Sequence, residues 1–145
     1  ICLDKVKKAV KETQAAGIDT RGMFMFGNPG ETEESMEKTL QLAISLDCDL
    51  AVFNITTPYP GTEMFNWAKE KGYLLTFDWE KYNLAQCIMQ LPTVSCQRIE
   101  DFYRKAYKRF YLRTAYIAKR ILKMRSFSDF KMNFRFFLSA IKEWL

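Results

Sequence analysis

Two turns rich in glycine and proline carry the residue types best suited to ligand binding in this 145-residue sequence. The first, Gly27-Asn-Pro-Gly-Glu31, directly follows the uncharged run Gly22–Phe26. The second, Asn54-Ile-Thr-Thr-Pro-Tyr-Pro-Gly-Thr62, ends an apolar run that begins at Leu50. Turns of this kind lie at the carboxyl ends of strands, where α/β proteins bind their ligands. The first turn predicts a surface for the edge and face of a planar heterocycle, and the second predicts polar partners for a ribose or an amino-acid group.

Each turn also has a simpler interpretation as a connection between a strand and a helix. Glu31 could contact a ligand, or it could only place a favourable negative charge near the start of a helix. The sequence contains neither G-x-G-x-x-G nor G-x-x-x-x-G-K-[ST], so the dinucleotide and phosphate-loop fingerprints are excluded.

The two turns lie within a predicted alternation of helices and strands. Apolar spacing and capping residues predict, in order, a helix ending at Gly17, a strand over Gly22–Phe26, a helix capped by Thr32, a strand over Leu50–Ile55 and a helix from Thr62 to Gly72. This alternation is typical of parallel α/β proteins. Because Gly22–Phe26 carries no charge, we expect both faces of that strand to be covered.

The remainder of the chain is irregular and then helical. Tyr73–Pro92 is aromatic and irregular, with a short edge strand predicted around Cys87–Gln90. Ser95 is a good N-cap for a long helix, or for two helices with a break near Thr114. Ser128 predicts a last helix with an apolar face running to Leu145.

The charge distribution predicts a boundary in the chain. Residues 1–95 contain 9 Lys/Arg and 13 Asp/Glu, a net charge of −4, whereas residues 96–145 contain 13 and 4, a net charge of +9. We therefore expect one unit over 1–92 and a basic helical extension over 93–145. That extension could pack on a neighbouring domain or contact an anionic membrane surface, with nucleic acid the least favoured partner.

Cysteine and histidine usage limits the chemistry further. The four cysteines (Cys2, Cys48, Cys87 and Cys96) are scattered without metal-ligand spacing, so we expect free thiols in a reducing cytoplasm. The chain contains no histidine, which excludes nucleophilic catalysis by Ser/His or Cys/His pairs within it. The sequence has no run of about 18 or more apolar residues, so no membrane-spanning helix is predicted.

Taken together, the two turns resemble the second half of a radical S-adenosylmethionine (SAM) enzyme core. The stretch Thr57-Pro-Tyr-Pro-Gly-Thr62, followed by Asp78-Trp-Glu-Lys-Tyr82, is similar to the cobalamin-binding-domain branch, which includes the anaerobic magnesium-protoporphyrin monomethyl ester cyclase type. The segment from Phe110 to Arg113 fits that branch too, although Thr114 stands where relatives often have proline.

The resemblance implies a fold, two cofactors and a set of site residues. The fold is the second half of a (β/α) barrel, with SAM and a [4Fe–4S] cluster as cofactors and cobalamin as a further option of the branch. It implies radical methylation, cyclisation or oxidoreduction on a small-molecule substrate that is bulky and apolar. The residues it places near the adenosine are Phe24, Met25, Phe26, Gly27, Pro29, Gly30 and Glu31 in the first motif, and Asn54, Ile55, Thr56 and Thr57 in the second.

One part of the family pattern is missing from the sequence. There is no C-x-x-x-C-x-x-C loop, so none of the cysteines can be assigned to a cluster. We therefore expect a fragment that depends on the other half of the barrel and does not catalyse a reaction alone. The alternative from another functional class is a non-catalytic module that docks on a membrane surface or partner through its basic amphipathic helices.

Overall fold

The computed structural model describes residues 2–123 and residue 131. In chain order the elements are α1 (Leu3–Ala15), β1 (Arg21–Phe26), α2 (Glu33–Leu46), β2 (Leu50–Ile55), α3 (Glu63–Glu70), a 3₁₀ turn (Trp79–Lys81), α4 (Cys96–Tyr111) and α5 (Thr114–Leu122). The predicted α/β class is confirmed. Of the two alternatives for the segment after Ser95, two helices with a break near Thr114 is the one confirmed, whereas the helix predicted from Ser128 lies outside the described residues.

Local sequence sets the ends of these helices. The Thr32 hydroxyl accepts a hydrogen bond from the Ser35 amide at 3.2 Å, and the Ser35 hydroxyl accepts one from the Thr32 amide at 2.9 Å, which forms a capping box at the start of α2. Thr62 and Ser95 accept equivalent bonds at the starts of α3 and α4. Asp47 ends α2 in the left-handed region, with φ at 45°.

β1 and β2 form a two-stranded parallel sheet. The register runs from Arg21 opposite Leu50 to Phe26 opposite Ile55, with α2 as the connection between the strands. Because parallel strands share a direction, both turns lie at the same edge of the sheet. The short edge strand predicted at Cys87–Gln90 is reduced to a single antiparallel bridge between Leu74 and Met89.

Helices cover one face of this sheet. Phe24, Phe26 and Phe53 are buried, and the rings of Phe26 and Phe53 stack with their centres 5.6 Å apart. Phe102 and Phe110 of α4 pack on these rings edge-on. The aromatic core therefore joins β1 and β2 to a helix that lies more than 40 residues later in the sequence.

The opposite face of β1 is open, so the expectation that both faces would be covered is wrong. Met23 is 68% exposed and Met25 is 45% exposed. An uncharged run does not by itself require two covers, because methionine is tolerated at a solvent boundary and alternates here with buried phenylalanine.

Opposite charges connect α4 and α5 to the first half of the chain. Arg98 pairs with Glu33 at 3.0 Å, and Arg109 pairs with Glu37. Further along, Arg113 and Lys119 pair with Asp47, which directly follows α2. Lys123 pairs with Asp49, which directly precedes β2. The difference in charge that predicted a boundary thus also supplies complementary surfaces. The division into 1–92 and 93–145 stays a prediction.

The expectation of free thiols is wrong for two of the four cysteines. Cys87 and Cys96 form a disulfide, with their Cα atoms 5.3 Å apart, while Cys2 and Cys48 are free. The spacing of the two cysteines in the sequence does not predict this pair. The chain between them folds back and brings the two residues together. Within the described part of the chain, none of the helices has the length and apolar character needed to cross a membrane.

Candidate ligand-binding edge of the sheet

The two turns are hydrogen-bonded to each other at the carboxyl edge of the sheet. The Thr56 amide donates to the Phe26 carbonyl at 2.8 Å, which extends the β1–β2 pairing into the loops. The Thr56 hydroxyl donates to Asn28 Oδ1 at 3.0 Å. The two motifs are more than 20 residues apart in the sequence, and these hydrogen bonds join them in the fold.

Glu31 is the internal brace of the first turn. The residue is only 8% exposed, and its carboxylate accepts hydrogen bonds from the Gly27 amide at 3.1 Å and the Asn28 amide at 3.4 Å. The Ser35 hydroxyl donates to its other oxygen. Both interpretations offered from sequence, ligand contact and helix-start charge, missed this role. Two amides that the turn could have offered to a ligand are taken by Glu31.

Glycine is required where the chain leaves β1. Gly27 has φ at +83°, a conformation that side chains rarely adopt. A Cβ there would make an ordinary van der Waals contact with the Ile99 side chain of α4, at 3.4 Å, so the positive φ is the reason for glycine. Gly30 has φ at +80° but faces open space, and Pro29 beside it is exposed. The turn is therefore tightly packed at its base and free at its tip.

The predicted residues on the strands divide between the two faces of the sheet. Phe24, Phe26 and Ile55 point into the helical layer and are buried. Met25 and Asn54 are opposite each other in the register, so they share the open face. Side chains that could meet a flat ligand are therefore those of Met25 and Asn54, while the phenylalanines can offer only backbone groups. Met23 belongs to the same open face, and its two-residue spacing from Met25 could have identified it.

The second turn is buried at its base and exposed at its tip. Thr56 and Thr57 are buried, and the Thr57 hydroxyl lies 3.1 Å from the Asn83 carbonyl. The Tyr59 hydroxyl donates to the Tyr82 carbonyl at 3.2 Å. The segment around residue 82 is therefore fastened to this edge of the sheet, which sequence reasoning did not predict.

That segment brings exposed aromatic rings close to the second turn. Trp79 is 57% exposed, and its ring lies 4.8 Å from the ring of Tyr82, centre to centre. Phe77 and Tyr59 are exposed as well. Large apolar groups left in contact with water near a ligand edge are typical of binding surfaces.

Thr93 is a second contact that the sequence did not reveal. Its hydroxyl donates to the Glu31 carbonyl from 62 residues away. Thr93 lies inside the loop that the Cys87–Cys96 disulfide closes. The first turn is thus supported on one side by its own glutamate and on the other by a cross-linked loop.

Curated proteins similar to this chain are methyltransferases and cyclases. An uncharacterised methyltransferase of Pyrococcus horikoshii is 40% identical over 119 residues, covering 82% of this chain and 26% of that protein. The bacteriochlorophyllide d C-8(2)-methyltransferase of Chlorobaculum tepidum is 27% identical over 145 residues, covering 96% and 32%. The anaerobic magnesium-protoporphyrin IX monomethyl ester cyclase of Cereibacter sphaeroides is 31% identical over 109 residues, covering 75% and 18%.

These similarities extend over most of this chain but only part of each relative. The chain spans no more than about a third of the length of any of these three proteins. No protein-family model matches the sequence. The comparisons therefore relate this chain to a segment of larger methyltransferases and cyclases.

Proposed function

We propose that this chain is the second half of a radical SAM barrel, and that it supplies the adenosine-facing part of the SAM site. The observation that carries the proposal is the union of the two turns at one sheet edge through the Thr56–Asn28 hydrogen bond. In this proposal, residues 1–92 contribute two strands of the barrel and residues 93–145 the helical extension. The names of the relatives, which include methyltransferases, support SAM as the cofactor.

The residues present fit an adenosine better than they fit a metal cluster. The open face at Met25 and Asn54 is partly apolar and accessible, which suits a purine ring, and the exposed tip at Pro29 and Gly30 leaves the backbone accessible. When bound, SAM would supply a methyl group or the adenosyl group that removes hydrogen from a substrate. Glu31 holds the turn in shape and does not itself reach this face.

In this proposal, the iron–sulfur cluster is bound outside this chain. No C-x-x-x-C-x-x-C loop is in the sequence, and no group of three or more candidate metal ligands occurs among the described residues. Cys87 and Cys96 are also bonded to each other. The cluster, and any cobalamin, would have to be bound by another part of the protein.

We propose a bulky, apolar and largely planar substrate. The exposed rings of Tyr59, Phe77 and Trp79 beside the second turn would suit such a molecule by stacking. Two relatives are named for bacteriochlorophyllide d and magnesium-protoporphyrin IX, both of which are tetrapyrroles. The reaction would be a methylation or a ring closure on a substrate of that class.

The test uses the full-length protein that contains this chain, reconstituted without oxygen with iron and sulfide. Under dithionite we expect it to cleave SAM and to release 5′-deoxyadenosine, measured by chromatography. Glu31→Ala should slow this reaction on the order of tenfold or more, because the turn that positions the adenosine loses its brace. No cleavage of SAM by a folded, iron-loaded protein would reject the proposal.

A matched control lies one turn away from Glu31. Glu34 is in the first turn of α2 and is exposed, where it pairs with Lys38 at 2.7 Å. Glu34→Ala should leave the rate unchanged, and Glu31→Gln, which keeps an acceptor oxygen, should lie between the wild type and Glu31→Ala. Equal losses in Glu31→Ala and Glu34→Ala would show that the brace is not what matters.

The docking alternative receives no specific support from the structure. In the described part of the chain, six basic side chains of α4, α5 and the residues flanking α5 form ion pairs with acidic groups of the same chain, namely those of Arg98, Arg104, Arg109, Arg113, Lys119 and Lys123. Contact with a membrane surface stays a prediction, and co-sedimentation of the protein with anionic liposomes would test it.

A further inference from the structure

Tyrosine hydroxyls occupy the outer edge of β2, that is, the long side of the strand that faces away from β1. The Tyr107 hydroxyl accepts from the Phe53 amide at 3.2 Å and donates to the Phe53 carbonyl at 3.0 Å. The Tyr111 hydroxyl does the same for Ala51, at 3.1 Å and 2.6 Å. Tyr116 continues the series by donating to the Asp49 carbonyl at 2.8 Å. Together these three residues form a tyrosine ladder.

The ladder replaces a neighbouring strand. In an antiparallel pair, a residue exchanges both its amide and its carbonyl bond with the residue opposite. Each of Tyr107 and Tyr111 makes that double exchange with one hydroxyl. The burial of Tyr111 raises the pKa of its hydroxyl, so the group stays protonated and able to donate.

The spacing of the ladder matches the strand. Four residues along a helix rise about 6 Å, and two residues along a strand span nearly the same distance. Tyr107 and Tyr111 are four residues apart and bond Phe53 and Ala51, which are two apart. Since the order is reversed, α4 runs antiparallel to β2 with its hydroxyls in step with the outward backbone groups. At the carboxyl end of β2, the Ile55 amide donates to the Leu84 carbonyl at 2.7 Å, so the last outward amide of this strand is also bonded.

The outer edge of β1 has no such cover from a strand. The Leu50 amide donates to the Thr20 carbonyl at 3.0 Å, and the Thr56 amide donates to the Phe26 carbonyl. These bonds show that the even-numbered backbone groups of β1 face β2, so those of Arg21, Met23 and Met25 face outward. In the described part of the chain, β2 is the only strand that pairs with β1.

We propose that the tyrosine ladder ends the sheet at β2, so that β1 is the one edge open to a further strand. The occupant of the β1 edge is an extended segment of the longer protein, bound by backbone hydrogen bonds to Arg21, Met23 and Met25. Its identity as a barrel strand rests on the proposed function. The relatives support a segment of this kind, because each extends far beyond the length it shares with this chain.

Hydrogen exchange of individual amides tests the ladder in the chain itself. We expect Tyr107→Phe to speed exchange at the Phe53 amide, and Tyr111→Phe at the Ala51 amide, by between about fivefold and a hundredfold, because a buried donor loses its partner. The amides of Leu50 and Thr56, which bond β1, should change much less. Unchanged exchange at Phe53 and Ala51 would overturn the ladder.

Tyr73→Phe is the matched control, since the Tyr73 ring packs on Trp67 and its hydroxyl makes no hydrogen bond to β2 among the described residues. It removes a tyrosine hydroxyl elsewhere in the fold and should leave the Ala51 and Phe53 amides as in the wild type. Equal acceleration by Tyr73→Phe would mean that general destabilisation, and not the edge, explains the effect.

The second measurement concerns β1 and uses the full-length protein. Its Met23 and Met25 amides should exchange at least tenfold more slowly than the same amides in this chain alone, measured at a dilution at which the chain is a monomer, because a strand now covers them. Equal exchange in both would reject the strand at β1 even if SAM is cleaved. Loss of SAM cleavage with the exchange pattern intact would reject the proposed function and leave the two edges as described.

Discussion

Asp49 is the most enclosed charge in the described part of the chain. It is 3% exposed, and its carboxylate accepts bonds from the Thr20 amide at 2.9 Å, the Thr20 hydroxyl at 3.1 Å and the Lys123 ammonium. Burial alone would raise its pKa, but these hydrogen bonds and the nearby Lys119 outweigh burial and lower the pKa from 3.8 to about 2. The residue thus joins α5 to the segment before β1 at the end of the sheet opposite the candidate site.

The depressed pKa of Asp49 predicts a pH dependence of stability. A carboxyl that is more acidic when folded stabilises the protein above its unfolded pKa, and that stabilisation is lost as pH falls through the folded pKa. We expect Asp49 to contribute about 2 kcal/mol at neutral pH, lost between about pH 4 and pH 2. Urea unfolding of the wild type and Asp49→Asn over this range measures it.

Asp19→Asn is the control for that experiment. Asp19 bonds the same Lys123 at 2.9 Å but is 73% exposed in its side chain, so its removal should change stability little. If the stability of Asp49→Asn falls between pH 4 and pH 2 as steeply as that of the wild type, Asp49 is not the group that titrates.

At the level of single residues, local chemistry was predictable and long-range contacts were not. The caps Thr32, Thr62 and Ser95 follow from residue type and position, because a helix start needs an acceptor for its free amides. The brace at Glu31 was not foreseen, since its partners are backbone groups whose orientation depends on the turn. The Thr93 contact had no signal at all, because nothing local relates it to Glu31.

At the level of elements, the apolar stripe of α4 was predictable from its spacing, whereas the role of its tyrosines was not. In the sequence, Tyr107 and Tyr111 belong to the basic helical extension, whose composition predicts packing on a neighbouring domain or contact with an anionic membrane surface. In the fold they bond the backbone of β2, more than 50 residues away. A backbone partner leaves no trace in residue type, so sequence patterns could not identify the ladder.

The loop between Cys87 and Cys96 is the element for which a redox prediction can be made. The disulfide closes a short loop whose interior residues Ile88, Met89, Leu91 and Val94 are buried in the core. Reduction with dithiothreitol should lower the free energy of unfolding by about 3 kcal/mol, because the unfolded chain regains the freedom of an open loop. Urea unfolding with and without the reductant measures the change.

Two variants and a thiol count make this prediction specific. Cys87→Ser/Cys96→Ser should have the lower stability at the outset and should not respond to the reductant, whereas Cys2→Ser should respond as the wild type does. Alkylation of the unfolded, unreduced protein should label only Cys2 and Cys48. Labelling of all four cysteines would contradict the bridge.

At the scale of the whole molecule, the fold is asymmetric in two ways. One face of the sheet is covered by helices that are held through aromatic packing and ion pairs, and the other exposes Met23 and Met25. One edge of the sheet is closed by the tyrosine ladder on β2. The other edge is the outer side of β1, where no further strand pairs among the described residues. The open face and the open edge meet on β1.

This asymmetry predicts that the chain by itself associates through β1. An open strand edge next to exposed apolar side chains recruits other strands, and charged residues on such an edge prevent it. The 17.1 kDa chain should therefore elute from size exclusion with light scattering as an oligomer, and Met23→Lys/Met25→Lys should return it to a monomer. Leu122→Lys places a charge on another exposed apolar residue, 85% exposed on α5, and should leave the oligomer intact. A wild-type monomer would show that β1 is not adhesive, and an oligomer that survives the double lysine variant would place the contact elsewhere.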